Sequence, residues 1–142
     1  MRAAAYAIVT LLLAACPGPS KGPSVSEIRM QKENEITALW TQIRGWRREA
    51  KMDVDPSPIM IAAPPKSVMD AKRVCPEAHP VPSTCADVCS IAENICDNAE
   101  RICTLADELG KQDDFAQGKC TSAKTSCREG KQRCCGCSDK EP

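Results

Sequence analysis

The sequence predicts an all-α protein built on an antiparallel helical hairpin laddered by disulfides, with an N-terminal helix available to pack on it as a third. Three observations carry this. Cys89, Cys96 and Cys103 are seven residues apart, as are Cys120, Cys127 and Cys134. Seven residues is close to two helical turns, so each trio lines one face of its helix. Only the stretch from Gly110 to Asp113 separates the two helical patterns, and so short a connection makes the helices antiparallel neighbours. Finally, the 142 residues include eleven Cys and eleven Pro but only two Trp, one Tyr and one Phe. A large aromatic core is unavailable, and cross-links offer another way to hold a small structure together.

The chain opens with a cationic Met1-Arg2, an apolar run over residues 3–13 and the stretch Leu13-Ala14-Ala15-Cys16. Eleven or so apolar residues fall short of the roughly 20 needed to span a bilayer, so residues 1–15 read as a signal peptide. Leu-Ala-Ala-Cys resembles the lipobox of bacterial lipoproteins. That resemblance implies cleavage before Cys16, a thioether-linked diacylglyceryl group on its sulfur, and a fatty-acylated new N-terminus such as palmitate would give. Pro17 follows, where the family's inner-membrane members tend to carry Asp, which favours the outer membrane, the protein facing periplasm or surface. Two or three acyl chains on one residue suffice for a stable anchor, with no second membrane signal.

Residues 16–23 hold three prolines, two glycines and a serine, the composition of an extended tether. Residues 24–52 then form an amphipathic helix. Ser24 or Ser26 can cap it, and Ile36, Leu39, Trp40, Ile43, Trp46 and Ala50 recur at spacings of three and four. Gly45 weakens that helix by about 1 kcal/mol without ending it. Seven prolines between positions 53 and 83 rule out a long helix or a central strand. This segment reads as a stiff linker with one short helix at residues 66–74, its apolar patch at residues 59–63 free to lie against the Cys-rich domain.

Residues 84–138 form the Cys-rich hairpin. Thr84 and Asp87 have capping-box spacing, Gly110 sits where a helix ends, Asp113 or Asp114 can cap the second helix, and Gly136 can end it. In an antiparallel hairpin, residues at one level have numbers of constant sum. Cys103 with Cys120, Cys96 with Cys127 and Cys89 with Cys134 each add to 223. Ten cysteines allow about 945 pairings, and this geometry selects three rungs from them. Cys85 with Cys137, adding to 222, is the natural fourth, and Cys75 with Cys135 follows by elimination. The positions flanking the trios are small, with Ala92, Ala99 and Ala106 on one helix and Ala116, Ala123 and Gly130 on the other. Small residues there let the backbones approach to disulfide distance.

Beside the cysteine face, the first hairpin helix carries a stripe of Val88, Ile95, Ile102 and Leu109, with Ile91 and Leu105 next to it. The second helix offers mainly Phe115 to match it. The Trp-bearing helix can cover the stripe. Otherwise Val88, Ile95, Ile102 and Leu109, with Trp40 and Trp46, form a binding surface for an envelope protein, or the N-terminal helix self-associates through heptad positions. A third arrangement lays Trp40, Trp46, Arg44, Arg47, Arg48 and Lys51 on the membrane.

Zero formal charge argues against a nucleic-acid module. The single His79 lies among prolines, and no Gly-rich phosphate loop occurs, so neither catalysis nor a cofactor is expected. The function expected is a non-catalytic, lipid-anchored structural or binding module. Its rival is a periplasmic Cu(I)-thiolate bundle, since soft thiolates select that ion, although only Cys85 and Cys89 show the C-x3-C spacing that copper-storing bundles use. A thiol-exchange role for Cys134 and Cys137, formally C-x-x-C, lacks the strand and βαβ context such motifs occupy.

Overall fold

The computed structural model describes residues 22–75 and 82–137, and all regular structure among them is helical. The signal peptide, Cys16, most of the tether and His79 lie outside the described residues.

Helix α1 spans Val25–Glu49. Ser24 is its N-cap in a full capping box. The Glu27 amide donates to the Ser24 hydroxyl at 3.2 Å, and the Ser24 amide donates to the Glu27 carboxylate at 2.6 Å. Hydrogen bonds from the Ser24 backbone amide first, and then from the Ser24 side chain, hold the Glu27 carboxyl below its ordinary range. The helix stops three residues short of the expected Met52. The Lys51 amide donates to the Arg48 carbonyl at 3.0 Å and the Met52 amide to Arg47 at 2.9 Å, a Schellman ending with Lys51 at φ 56° where glycine is usual. Met52 packs on the core from there.

The Pro-rich segment proves to be more than a linker. It folds into two one-turn helices, α2 (Pro58–Ala62) and α3 (Val68–Lys72), both of which contact the last helix. Pro56, Pro65, Val68 and Ala71 are buried. Ile59, in the patch expected to lie inward, is exposed instead, so the belt is seated through its prolines and α3. Ser67 caps α3 through the Asp70 amide. Lys72 reaches across to Glu100 at 2.7 Å, the bond that raises its pKa, with Asp97 nearby at 3.6 Å.

A 3-10 turn at Ser83–Cys85 leads into α4 (Ala86–Leu109). The N-cap is Cys85, which supplies no side-chain cap bond. Gly110 has φ 97°, a backbone region that a side chain would strain. Helix α5 spans Asp114–Gly136, and Asp113 caps it by accepting from the Ala116 amide at 3.0 Å. Although a carboxylate, Asp113 is buried, and Arg29 of α1 meets it at 2.7 Å.

Cross-contacts fix the topology. Along α1, Lys32 pairs with Glu108, Glu35 with Arg101, and Leu39 and Gln42 with Asn98, so the partners on α4 descend as α1 ascends. Those on α5 ascend, from Asp113 against Arg29 to Glu129 against Arg47. Thus α1 runs antiparallel to α4 and parallel to α5, starting at the hairpin-loop end. Ile36, Ile43, Ile95, Ile102 and Leu105 fill the space between, all essentially inaccessible. Each contributes about 1.5 to 3 kcal/mol by leaving water.

Candidate functional site

The ladder is the chemically dense feature. Cys103 is bonded to Cys120, Cys96 to Cys127 and Cys89 to Cys134, with Cα separations of 4.7, 4.6 and 4.7 Å. Cys85–Cys137 closes the open end at 6.0 Å, and Cys75–Cys135 ties the belt to α5 at 5.6 Å. These are the partners that the constant sum and its remainder designate. The flanking alanines, Ala92, Ala99, Ala106, Ala116 and Ala123, are buried to 1% exposure or less. At Gly130 an added Cβ would sit 3.5 Å from Ala92 and 3.6 Å from Ile95, in ordinary van der Waals contact, so a methyl would fill the space between the helices there.

At the open end, Cys134, Cys135 and Cys137 leave α5 toward three different partners. The formal C-x-x-C of Cys134 and Cys137 is therefore two halves of separate cross-links. Among the described residues no three His, Cys, Asp or Glu side chains group to hold a metal ion. A Cu(I) ion bound by the ladder would require these bridges to be open, because thiolate is the ligand.

Next to that end, a cleft of about 360 Å³ lies between the last turn of α1, the belt and α5, lined by Arg47, Lys51, Asp53, Glu129 and Arg133 among others. Arg47 forms its floor. This guanidinium is 1% exposed, donates from Nε to the Asp53 carbonyl at 2.7 Å and from Nη2 to the Asp55 carbonyl at 3.2 Å, and places Nη1 2.6 Å from Glu129. That last contact is an ion pair lying off the N–H axis, so it contributes charge rather than an aligned hydrogen bond. Glu129 also accepts from the Ser57 amide at 3.2 Å. One buried pair thus joins helix, belt and hairpin. Lys51 and Arg133 stand over helix C-termini, whose carbonyl ends favour cations, which accounts for their presence there.

The proposed binding stripe is corrected by this packing. Ile95 and Ile102 are fully buried, Trp40 is 7% exposed, and Val88, Leu109 and Trp46 are half-buried. All of these but Val88 belong to the core between α1 and the hairpin or pack against it, and no partner can reach Ile95 or Ile102 while α1 stays in place. For the same reason α1 cannot pair with a second copy through Ile36 and Ile43. Nor can Trp40 and Arg47 lie on a membrane: the first is under Lys119, whose Nζ is 5.1 Å from its ring centroid, and the second is under the belt. Sequence reasoning missed the Arg47–Glu129 pair, because a lone Arg among Arg44, Arg47 and Arg48 carries no mark that it faces inward.

Comparison with protein families, curated proteins and solved structures finds no match.

Proposed function

We propose that the chain is a lipid-anchored, non-catalytic module of the bacterial cell envelope, a rigid helical body joined to the outer membrane by a short tether. One observation carries the reading. Ten of the eleven cysteines are consumed in five bridges, and the eleventh is Cys16, at the end of the Leu-Ala-Ala-Cys motif. Five bridges belong to an oxidising compartment, and a chain exported there with one odd cysteine has a use for that thiol in a lipid bond.

The test is intact mass of the protein from membrane and soluble fractions, with and without alkylation. A diacylglyceryl adduct on Cys16, and a polypeptide mass about 10 Da below the fully reduced value with no alkylation, support the reading. Cys16→Ser should move the protein out of the membrane fraction. An unmodified Cys16 removes the anchor, and free thiols that bind Cu(I) stoichiometrically replace the structural module with a metal store.

A further inference from the structure

The topology places the start of α1 and the hairpin loop at the same end of the body. Arg29 meets Asp113 at 2.7 Å and Lys32 meets Glu108 at 3.0 Å, with Gly110 between those two partners in sequence. At that end the first turns of α1 leave Val25 86% exposed and Ile28 39% exposed. Together with half-buried Leu109 they border a groove of about 180 Å³, flanked by Arg29, Lys32 and Glu108. Nothing in α1 requires apolar side chains there, since its core-facing stripe begins at Ile36.

We propose that this tip, the groove edged by Val25, Ile28 and Leu109, rests on the lipid surface, so that the open end and the Arg47 cleft face away from the membrane. The inference rests on the lipid anchor proposed above. Chain length supplies the argument for the occupant. Eight residues lie between Cys16 and Val25, so the tip stays within about 30 Å of the acylated residue even with that chain fully extended. By contrast α1, at 1.5 Å per residue, carries its other end roughly 37 Å further along the helix axis. The tether keeps the tip at high effective concentration against the bilayer, where two or three shallow apolar contacts suffice for a preferred orientation.

Charge takes little part. Arg29 and Lys32 are paired with carboxylates on the protein itself, leaving Lys111 in the loop as a cation without an ionic partner among the described residues. The contact is therefore apolar, and it persists in zwitterionic as in anionic lipid.

The experiment uses the full lipidated protein in phosphatidylcholine nanodiscs, with and without a fraction of gadolinium-chelate lipid, read by amide NMR intensity. Residues 25–32 and 108–112 should lose most of their intensity while residues 47–55 and 130–137 keep theirs. Replacing a third of the lipid with phosphatidylglycerol should leave that pattern unchanged. Val25→Glu with Ile28→Glu, both exposed, should keep the helical circular dichroism and weaken the broadening at residues 25–32 and 108–112, leaving only the smaller contrast that the tether imposes; unchanged broadening there overturns the apolar contact. A lipidated protein whose two ends broaden equally, or whose open end broadens more, overturns the orientation and leaves the anchor standing. A strong dependence on phosphatidylglycerol overturns the apolar contact. A protein with no lipid on Cys16 overturns both readings, and the intact mass tells that case apart.

Discussion

The two faces of α4 are closed in opposite ways. Toward α5 it is covalent and thin, with rungs at Cα separations of 4.6 to 4.7 Å through alanine and glycine. Toward α1 it is non-covalent and thick, filled by Ile36, Trp40, Ile43, Ile95 and Ile102, and edged by ion pairs at Glu35–Arg101 and Lys32–Glu108. The contrast shows why one chain needs both. A disulfide fixes the backbones too close for large side chains, so the cross-linked face buries little apolar area. The area has to come from the other face, and α1 supplies it. The two faces should therefore fail differently, the thin one by overpacking and the thick one by cavities.

The largest effect is expected on the thick face. Ile43→Ala removes a fully buried side chain and should cost about 2 to 5 kcal/mol in urea unfolding with the bridges intact. Hydrogen exchange should rise in α1 while α4 and α5, still cross-linked, remain protected. Uniform exchange across the three helices would show instead that they form one cooperative unit.

Arg47→Ala comes next. It strands Glu129, whose side chain is 16% exposed, and should cost about 3 kcal/mol, at the low end for a broken buried pair because some water reaches the carboxylate. Glu129→Gln, which still accepts from the Ser57 amide, should cost less. If the two variants are equal in thermal denaturation, the charge pairing is not what joins belt to helix.

On the thin face, Ala99→Leu should cost about 1 to 3 kcal/mol and push the helices apart beside Cys96–Cys127. Peptide mapping without reductant should find that rung incompletely formed. Normal oxidation of the variant would remove the argument that small residues set the helix spacing.

Smaller effects come from the ends and surface of α1. A Cβ at Gly45 meets nothing within 4 Å, so Gly45→Ala should raise stability by about 1 kcal/mol with no change at either face. The Glu27 cap adds a pH term. Its carboxyl is held below the ordinary 4.5, so its contribution is present above that pH and fades as the pH falls through the lowered value. Amide shifts at Ser24 and Glu27 should report the loss in an acid titration, and Glu27→Gln should flatten it.

Much of the hairpin was legible because its signals are local and periodic. Two cysteine trios seven apart, a four-residue connection and a constant sum leave one register. The cap at Asp113 and the stop at Gly110 are short-range chemistry of the same kind. Less legible were the features whose cause lies across the fold. One-turn helices such as α2 and α3 are too short to be stable alone, and they exist because Val68, Ala71 and the prolines seat against α5. Lys51 takes a left-handed backbone that its residue type disfavours, because the Schellman bonds and Met52 packing hold it there. Thr84 and Asp87 have the spacing of a cap, yet the helix enters through a 3-10 turn at Cys85, whose bridge to Cys137 fixes the entry point.

The sequence alone determined the helical class, the hairpin register and the cysteine partners, since periodicity and chain connectivity are properties of a line of residues. Tertiary structure alone decided that α1 covers the Ile95–Ile102 stripe, that Arg47 turns inward to Glu129, and that a proline-rich segment becomes a belt. Those outcomes depend on which distant surfaces meet, and the free energy of burial is defined only once they do.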